Sequence, residues 1–464
     1  MLWLPIDRSS NLPLFRQVYN EIRTKILRGE LYGGERLPST RELASELQVS
    51  RNVMLEAFDL LFAEGFIESR QGSGTFVTHG AQLNQQHIHE PLAEPMKLKP
   101  TREPDIIDFR SGVPAFDFFP RKLWGQLASK VCAELPETAM CYDKPEGRPE
   151  LRHALSKYLR RMRGVVCHPD QIVITAGTTQ ALSIVAKLLS TEKQEVIAED
   201  PITHEVQTIF SSHGCHLQPI SVDADGMQTE QIHSASKPAF VYVTPSHQFP
   251  LGGTLPVKRR IDLIRFARSA NCCIVEDDYD SEYRYEGPPI SSLQGLDPER
   301  VVYLGTFSKT VLPSLRIGFM VLPWDFIEQV RNLKWLADLH TPSIDQLILA
   351  RFIEEGHLER HIFKMKKIYR KRRNFLIDSL NRHFSDKVHI LGHSTGLHLI
   401  AEFSDVEFTP QMLEKIEQSG TRVYPVETHA IQKGRHKNQV ILGYGNLTEE
   451  KIEEGIQRLH ERIP

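Results

Sequence analysis

Lys309 directly follows the apolar run VVYLGTF and Ser308, and it precedes Arg316 by two turns' worth of chain. A lysine in a loop at the carboxyl end of a strand sits where open α/β sheets hold ligands. The hydroxyls of Thr306 and Ser308 and the fixed charge of Arg316 are suited to a phosphate beside it. Upstream, the apolar run CCIVE ends in Asp277-Asp278-Tyr279. Either aspartate could keep a pyridine nitrogen protonated, and the phenol of Tyr279 could donate to a ring oxygen. Ala176-Gly177-Thr178-Thr179 is a glycine turn opening the helix-like QALSIVAKLL, which aims free amides at an anion. A lysine for a Schiff base, an acid for the ring nitrogen, a donor for the ring oxygen and a phosphate cup are what pyridoxal 5'-phosphate asks of a protein. Each is common alone; their joint presence and order carry the reading.

A second chemistry lies near the start of the chain. In PSTRELASELQVSR, Ser39 with Glu42 three residues later forms a capping-box pattern, and Ser50 can cap the helix that follows. That arrangement is a helix-turn-helix, whose second helix enters the major groove of double-stranded DNA with its N-terminal residues at base edges. Those residues are Ser50, Arg51 and Asn52: arginine suits guanine, asparagine suits adenine, and either can hold phosphate instead. Ser39 and Arg41 open the preceding helix toward the same groove mouth. Arg70, Gln71, Gly72, Ser73 and Thr75 form a wing for the DNA backbone or minor groove. The whole chain has 56 basic and 59 acidic residues, a formal charge of -3, so any DNA site is local. Acids roughly match bases in this head as well, which points to a dimer presenting two heads.

The elements that must position these groups follow from the pattern. Leu14, Val18, Ile22, Ile26 and Leu27 recur at helical spacing until Gly29; helices are predicted over about Thr40–Leu47 and from Ser50 to the glycine stop at Gly65. FIESRQGSGTFV is a hairpin. Residues 79–104, without periodicity and rich in Gln, His, Glu and Pro, read as an interdomain linker. Beyond it, apolar strands ending in polar loops alternate with helices, which implies a mostly parallel sheet covered on both faces. A long helical run from about Ser343 leads into a smaller C-terminal α+β subdomain. The divisions are therefore 1–78, 79–104, 105–342 and 343–464. With 464 residues the chain can bury large cores, and no window is apolar enough to span a bilayer, so a cytoplasmic protein is expected. The six cysteines show no C-x-x-C and no metal spacing; reduced, mostly buried thiols and no metal site are expected.

The segment from Leu37-Pro38-Ser39 through Val49-Ser50-Arg51 and Glu64-Gly65 to Gly72-x-Gly74-x-x-Val77 resembles the winged head of GntR-type regulators. From Tyr142 with Gly147 and Arg152, through Ala176-Gly177-Thr178, Thr244-Pro245-Ser246-His247-Gln248-Phe249-Pro250 and Glu276-Asp277-Asp278-Tyr279, to Gly305-Thr306-Phe307-Ser308-Lys309, the chain resembles fold-type I aminotransferases. TPSHQFPLG, EDDYDSEY and GTFSK are similar to the MocR subfamily, which joins the two. The resemblance implies Lys309 as the Schiff-base lysine, Asp277 on the pyridine nitrogen and Tyr279 on the ring oxygen. It implies Gly177, Thr178, Thr179, Thr306, Ser308 and Arg316 around the phosphate, with Tyr142 reaching it from the other subunit. His247 stands where these enzymes often have an asparagine. The family dimerises through its large domain with swapped heads, and this linker is long enough for that.

Two stretches depart from the family pattern. Thr428-His429 occupies the place expected of a carboxylate-binding arginine, with Arg422 and Arg435 out of register, and Ile202-Thr203-His204-Glu205 follows EDP where a relative carries a tyrosine and an arginine. Thr203, His204 and His429 are thus the effector-facing candidates. The expectation is a ligand-responsive transcription regulator, not an enzyme, in which an amine effector such as an amino acid or D-amino-acid dipeptide displaces Lys309 to form an external aldimine and rearranges the heads. The alternative is a working aminotransferase with an autoregulatory head.

Overall fold

The computed structural model describes residues 4–82, 106–190 and 193–463; the predicted linker falls for the most part outside them. The chain divides into two compact units, Met1–Arg102 and Glu103–Pro464.

The first unit is a winged helical head. Helix α1 (Leu14–Leu27) turns Val18, Ile22 and Ile26 inward, where they meet Met54, Phe58 and Leu61 of helix α3 (Arg51–Ala63). Helix α2 (Thr40–Glu46) begins with the predicted capping box: Glu42 N–H donates to Ser39 Oγ at 3.2 Å, and Ser39 N–H donates to the Glu42 carboxylate at 2.7 Å. Ser50 caps α3 through Val53 N–H at 3.4 Å. Strand β1 (Arg36–Leu37), absent from the sequence reading, pairs with β3 (Gly74–Val77), which pairs with β2 (Ile67–Arg70) to form the wing. Two residues are too few for a periodicity signal.

The second unit is built on an eight-stranded sheet in the order 172–175, 318–321, 301–306, 273–278, 240–243, 195–200, 216–223, 226–227. The central pairs are parallel, and Gly318–Val321 runs antiparallel between two neighbours. Strands such as Phe240–Val243 and Cys273–Asp278 are buried along their whole length because helices cover both faces. Helices Thr178–Leu189, His204–Ser212 and Ile327–Asp338 pack on one face, with Ala181, Val185, Phe210 and Val330 against Val173, Tyr242 and Val275. On the other, Leu263 and Ala267 of helix Val257–Ala270 meet Val241 and Ile274.

The C-terminal region is a four-stranded antiparallel sheet, ordered 388–391, 398–403, 439–443, 424–425, packed on the long helix His357–Phe384 and on Glu449–His460. Strand Ile107–Asp108 pairs in parallel with Thr421–Arg422, so the first described residues after the linker join this C-terminal layer. Cys215, Cys272 and Cys273 are buried as expected, whereas Cys132 and Cys141 are exposed. Among the described residues no helix is long and apolar enough to cross a membrane, and no cluster has the makings of a metal site.

Candidate cofactor site and DNA-reading surface

The carboxyl ends of the parallel strands converge on a cavity of about 620 Å³. Thr178, Thr179, Asp277, Tyr279, Thr306, Ser308, Lys309 and Arg316, dispersed over the sequence, all line it.

Strand alternation separates the two aspartates that the sequence left open. Asp278 turns to the far face, paired at 2.8 Å with Arg163 and accepting the Tyr303 hydroxyl at 2.6 Å. Asp277 faces the cavity. Its Oδ2 accepts the Tyr242 hydroxyl at 2.8 Å, while Oδ1 is buried with no partner. Burial pushes this carboxyl up to about 7 despite the Tyr242 hydrogen bond. A protonated ring nitrogen at Oδ1 would satisfy the orphan oxygen and supply the missing countercharge.

Lys309 has neither hydrogen bond nor ion pair among the described residues. Burial lowers its pKa against the opposing pull of Asp280. A Cβ at Gly112 would lie 2.5 Å from Lys309 Nζ, so the glycine at φ +68° lets the backbone pass the amine. Helix Thr178–Leu189 starts without a side-chain cap at Gly177, leaving first-turn amides open. Arg316 donates to Ala176 O at 2.8 Å across that turn, and Ser308 N–H donates to Thr306 Oγ1 at 3.2 Å. Amides, hydroxyls and guanidinium together form an anion cup. The residues present thus fit pyridoxal phosphate.

His247 lies behind this layer. Its Nδ1 is 2.8 Å from Asp280 Oδ1, its carbonyl accepts the Tyr279 hydroxyl at 3.0 Å, and its Nε2 is buried without a partner. Tyr142 is 81% exposed and belongs to a different depression, beside Trp335, so within one chain it does not reach the cavity.

On the effector side, Thr203 and His429 line the cavity, but the Thr203 hydroxyl also caps helix His204–Ser212 through Val206 N–H at 3.2 Å. The His204 side chain is exposed and does not line the cavity; its backbone N–H donates to His429 Nδ1 at 3.1 Å. His398, unnoticed in the sequence, packs between His247 and Phe249 with tilted rings, centroids 5.0 and 5.2 Å apart. Burial lowers His398 to about 3 and His429 to about 4, so both imidazoles are neutral near pH 7. Arg422 is engaged with Glu417, Arg435 donates to Ser221 Oγ, and neither lines the cavity. Arg110, Tyr242 and Tyr424 also line it and escaped the sequence reading, and Thr244 and Asp280, seen there only as parts of motifs, line it too. Tyr242 had a signal: it is the polar-tipped residue in AFVYV.

In the head, Ser39, Arg41, Ser50, Arg51 and Asn52 are exposed at the start of α2 and α3. Arg41 and Arg51 have no ion pair or hydrogen bond among the described residues. Arg70 is held by Glu68 at 2.9 Å and lies over Phe76, and the wing tip Gln71, Gly72 and Ser73 is exposed.

Residues 104–459 match the family model for aminotransferase class I and II, and residues 14–77 match that for bacterial regulatory proteins of the gntR family. The chain is 35% identical over 458 residues to the HTH-type transcriptional regulator YhdI of Bacillus subtilis (strain 168), covering 98% of this chain and 96% of that one. It is 34% identical over 469 residues to the probable rhizopine catabolism regulatory protein MocR of Rhizobium meliloti, covering 98% and 95%. Among solved structures, a kynurenine aminotransferase of Pyrococcus horikoshii in complex with PMP aligns with a TM-score of 0.72 at 29% identity, covering 77% of this chain and 90% of that one.

Proposed function

The chain belongs to the aminotransferase class I and II family and, with its gntR-family head, to the MocR-type transcriptional regulators that bind DNA and pyridoxal phosphate; from that premise we propose that it senses a primary amine at Lys309 and reports it to DNA. When bound, the cofactor supplies an aldehyde that condenses with amines, the lysine's own and, in exchange, an effector's. Asp277 would hold the positive ring nitrogen through its unpartnered Oδ1. Thr178, Thr179, Thr306, Ser308 and Arg316, with the open helix turn, would hold the phosphate. Lys309, whose pKa burial lowers, is the nucleophile and the proton acceptor at Nζ.

Exchange at Lys309 bears on the C-terminal subdomain, which is pinned to the large domain beside the cavity: Asp200 accepts N–H bonds from Ile431 and Gln432 at 2.7 and 3.0 Å, and Ile202 N–H donates to His429 O at 3.1 Å. Movement of this clamp would alter the arrangement of two DNA heads in a cytoplasmic homodimer, with heads swapped through the linker. Exposed Met140, Tyr142, Trp335 and Leu336 supply an apolar surface for that dimer. Arg51 and Asn52 would read bases, and Ser39, Arg41, Ser50 and the wing residues Arg70, Gln71, Gly72 and Ser73 would hold the backbone.

The carrying observation is a complete cofactor cradle whose C-terminal wall offers neutral His398 and His429 where an aminotransferase needs a cation. A catalytic reading is favoured by one observation, the partnerless Lys309. Titrating the cofactor-loaded full chain with amines while measuring keto-acid formation separates the two. Regulation predicts a spectral change without sustained keto acid; multiple turnovers would establish an enzyme.

A further inference from the structure

The cavity has a further cation on its lining. Arg110 lines it, is exposed, and makes no hydrogen bond or ion pair among the described residues. Glu205 apart, the charges around it are otherwise assigned. Arg316 braces the phosphate turn, Asp277 faces the ring nitrogen, Asp280 is paired with His247, and Lys309 is the tether. Arg110 is left with its five donors and no acceptor, beside the tether. A guanidinium of this kind is suited to a planar anion.

Its backbone is fixed. Ile107 N–H donates to Gly420 O at 2.9 Å, Phe109 N–H to Arg422 O at 3.0 Å, and Gly443 N–H to Phe109 O at 2.8 Å. Gly443 must be a glycine, since a Cβ there would come within 2.2 Å of Arg110 O. Two residues on, Gly112 lies against Lys309, whose Nζ occupies the space that a Cβ there would need. The same short segment therefore touches the tether, carries the free guanidinium and is stitched to the C-terminal layer; in sequence it is also where the residues from the head arrive.

Resting on the amine-sensing reading above, we infer that the effector is an amino acid or a similar amine bearing a carboxylate, and that Arg110, from the N-terminal strand and not the C-terminal subdomain, binds that carboxylate. The anion is then held by the segment that follows the head and the predicted linker in sequence. Neutral His398 and His429, with Phe249 between them, face the remainder of the molecule. Glu205, also on the lining, favours a second amino group there.

The test uses the cofactor-loaded full-length protein and matched probes: alanine with ethylamine, leucine with isoamylamine and lysine with cadaverine, each amino acid in both enantiomers. Binding is read from cofactor absorbance and independently from the shift in Tm. The wild type is expected to bind at least one amino acid about ten-fold or more tightly than its decarboxylated partner. Arg110→Gln brings that ratio near unity, and Arg110→Lys keeps part of it. An acid preference that persists in Arg110→Gln, or acids and amines binding alike to the wild type, overturns this inference and leaves amine sensing intact. A loaded wild type indifferent to every probe, by both readouts, overturns amine sensing itself.

Discussion

The Tyr242 hydroxyl donates to Asp277 Oδ2 at 2.8 Å, and the other carboxylate oxygen of Asp277 is buried without a partner. One hydrogen bond fixes the carboxyl plane; the free oxygen is aimed where a protonated ring nitrogen belongs. In the apo-protein the same arrangement is a cost. The carboxyl is raised by burial to about 7, above its ordinary 3.8, so its contribution to stability is full below pH 3.8 and declines as pH rises to about 7. Apo Asp277→Asn is accordingly expected to be more stable than apo wild type at pH 8, by on the order of 2 kcal/mol, with the gap closing toward pH 4. Its cofactor affinity falls. Thermal unfolding of both apo-proteins across this range, alongside cofactor titration, checks both signs.

Lys309 is expected to carry the cofactor covalently. Borohydride reduction of the loaded protein should leave a phosphopyridoxyl adduct on the peptide containing Lys309, and Lys309→Ala should bind the cofactor without retaining an adduct. Peptide mass spectrometry reads both. An adduct on another lysine would displace Lys309 from its role.

Gly177 closes the phosphate turn at φ +91°, where a Cβ would lie 2.7 Å from Arg316 Nη2. The atom in the way is the end of a flexible side chain, so Gly177→Ala should fold, at a cost of about 1–3 kcal/mol for a backbone at φ 91° and ψ 174° that is essentially confined to glycine. The displaced guanidinium should weaken cofactor binding about ten-fold, measurable by fluorescence titration.

The head offers a contrast between structure and readout. Ser39→Ala removes the capping-box acceptor and should lower head stability by about 1 kcal/mol. Arg51→Ala, at an exposed position without an ion pair, should leave stability unchanged and reduce discrimination at one base pair by about 1–3 kcal/mol. Chemical unfolding and binding to variant DNA sites distinguish these outcomes.

Legibility in the sequence followed the range of the signal. The capping box, glycine stops and apolar strands are local, and α1, α2, α3, the wing and the parallel sheet appeared where the pattern put them. Lys309, Asp277 and the Thr178–Thr179 turn were visible because each ends an apolar strand. What stayed hidden depends on distant pairing. Arg110 is brought to the cavity by hydrogen bonds that its neighbours Ile107 and Phe109 make with Gly420, Arg422 and Gly443, and His398 lies on an antiparallel strand of the C-terminal sheet. No window of sequence contains those relationships. The choice between Asp277 and Asp278 needed the strand's register, which separates adjacent side chains onto opposite faces.

The most direct test of the account joins Lys309 to DNA. Fragments of the source genome that bind the cofactor-loaded full chain are recovered, and affinity for one is measured by fluorescence anisotropy with and without an amine that fully converts the cofactor's absorbance. The account predicts a change in DNA affinity of about ten-fold, lost in Lys309→Ala. DNA affinity unmoved by an amine that has fully converted the bound cofactor would contradict it.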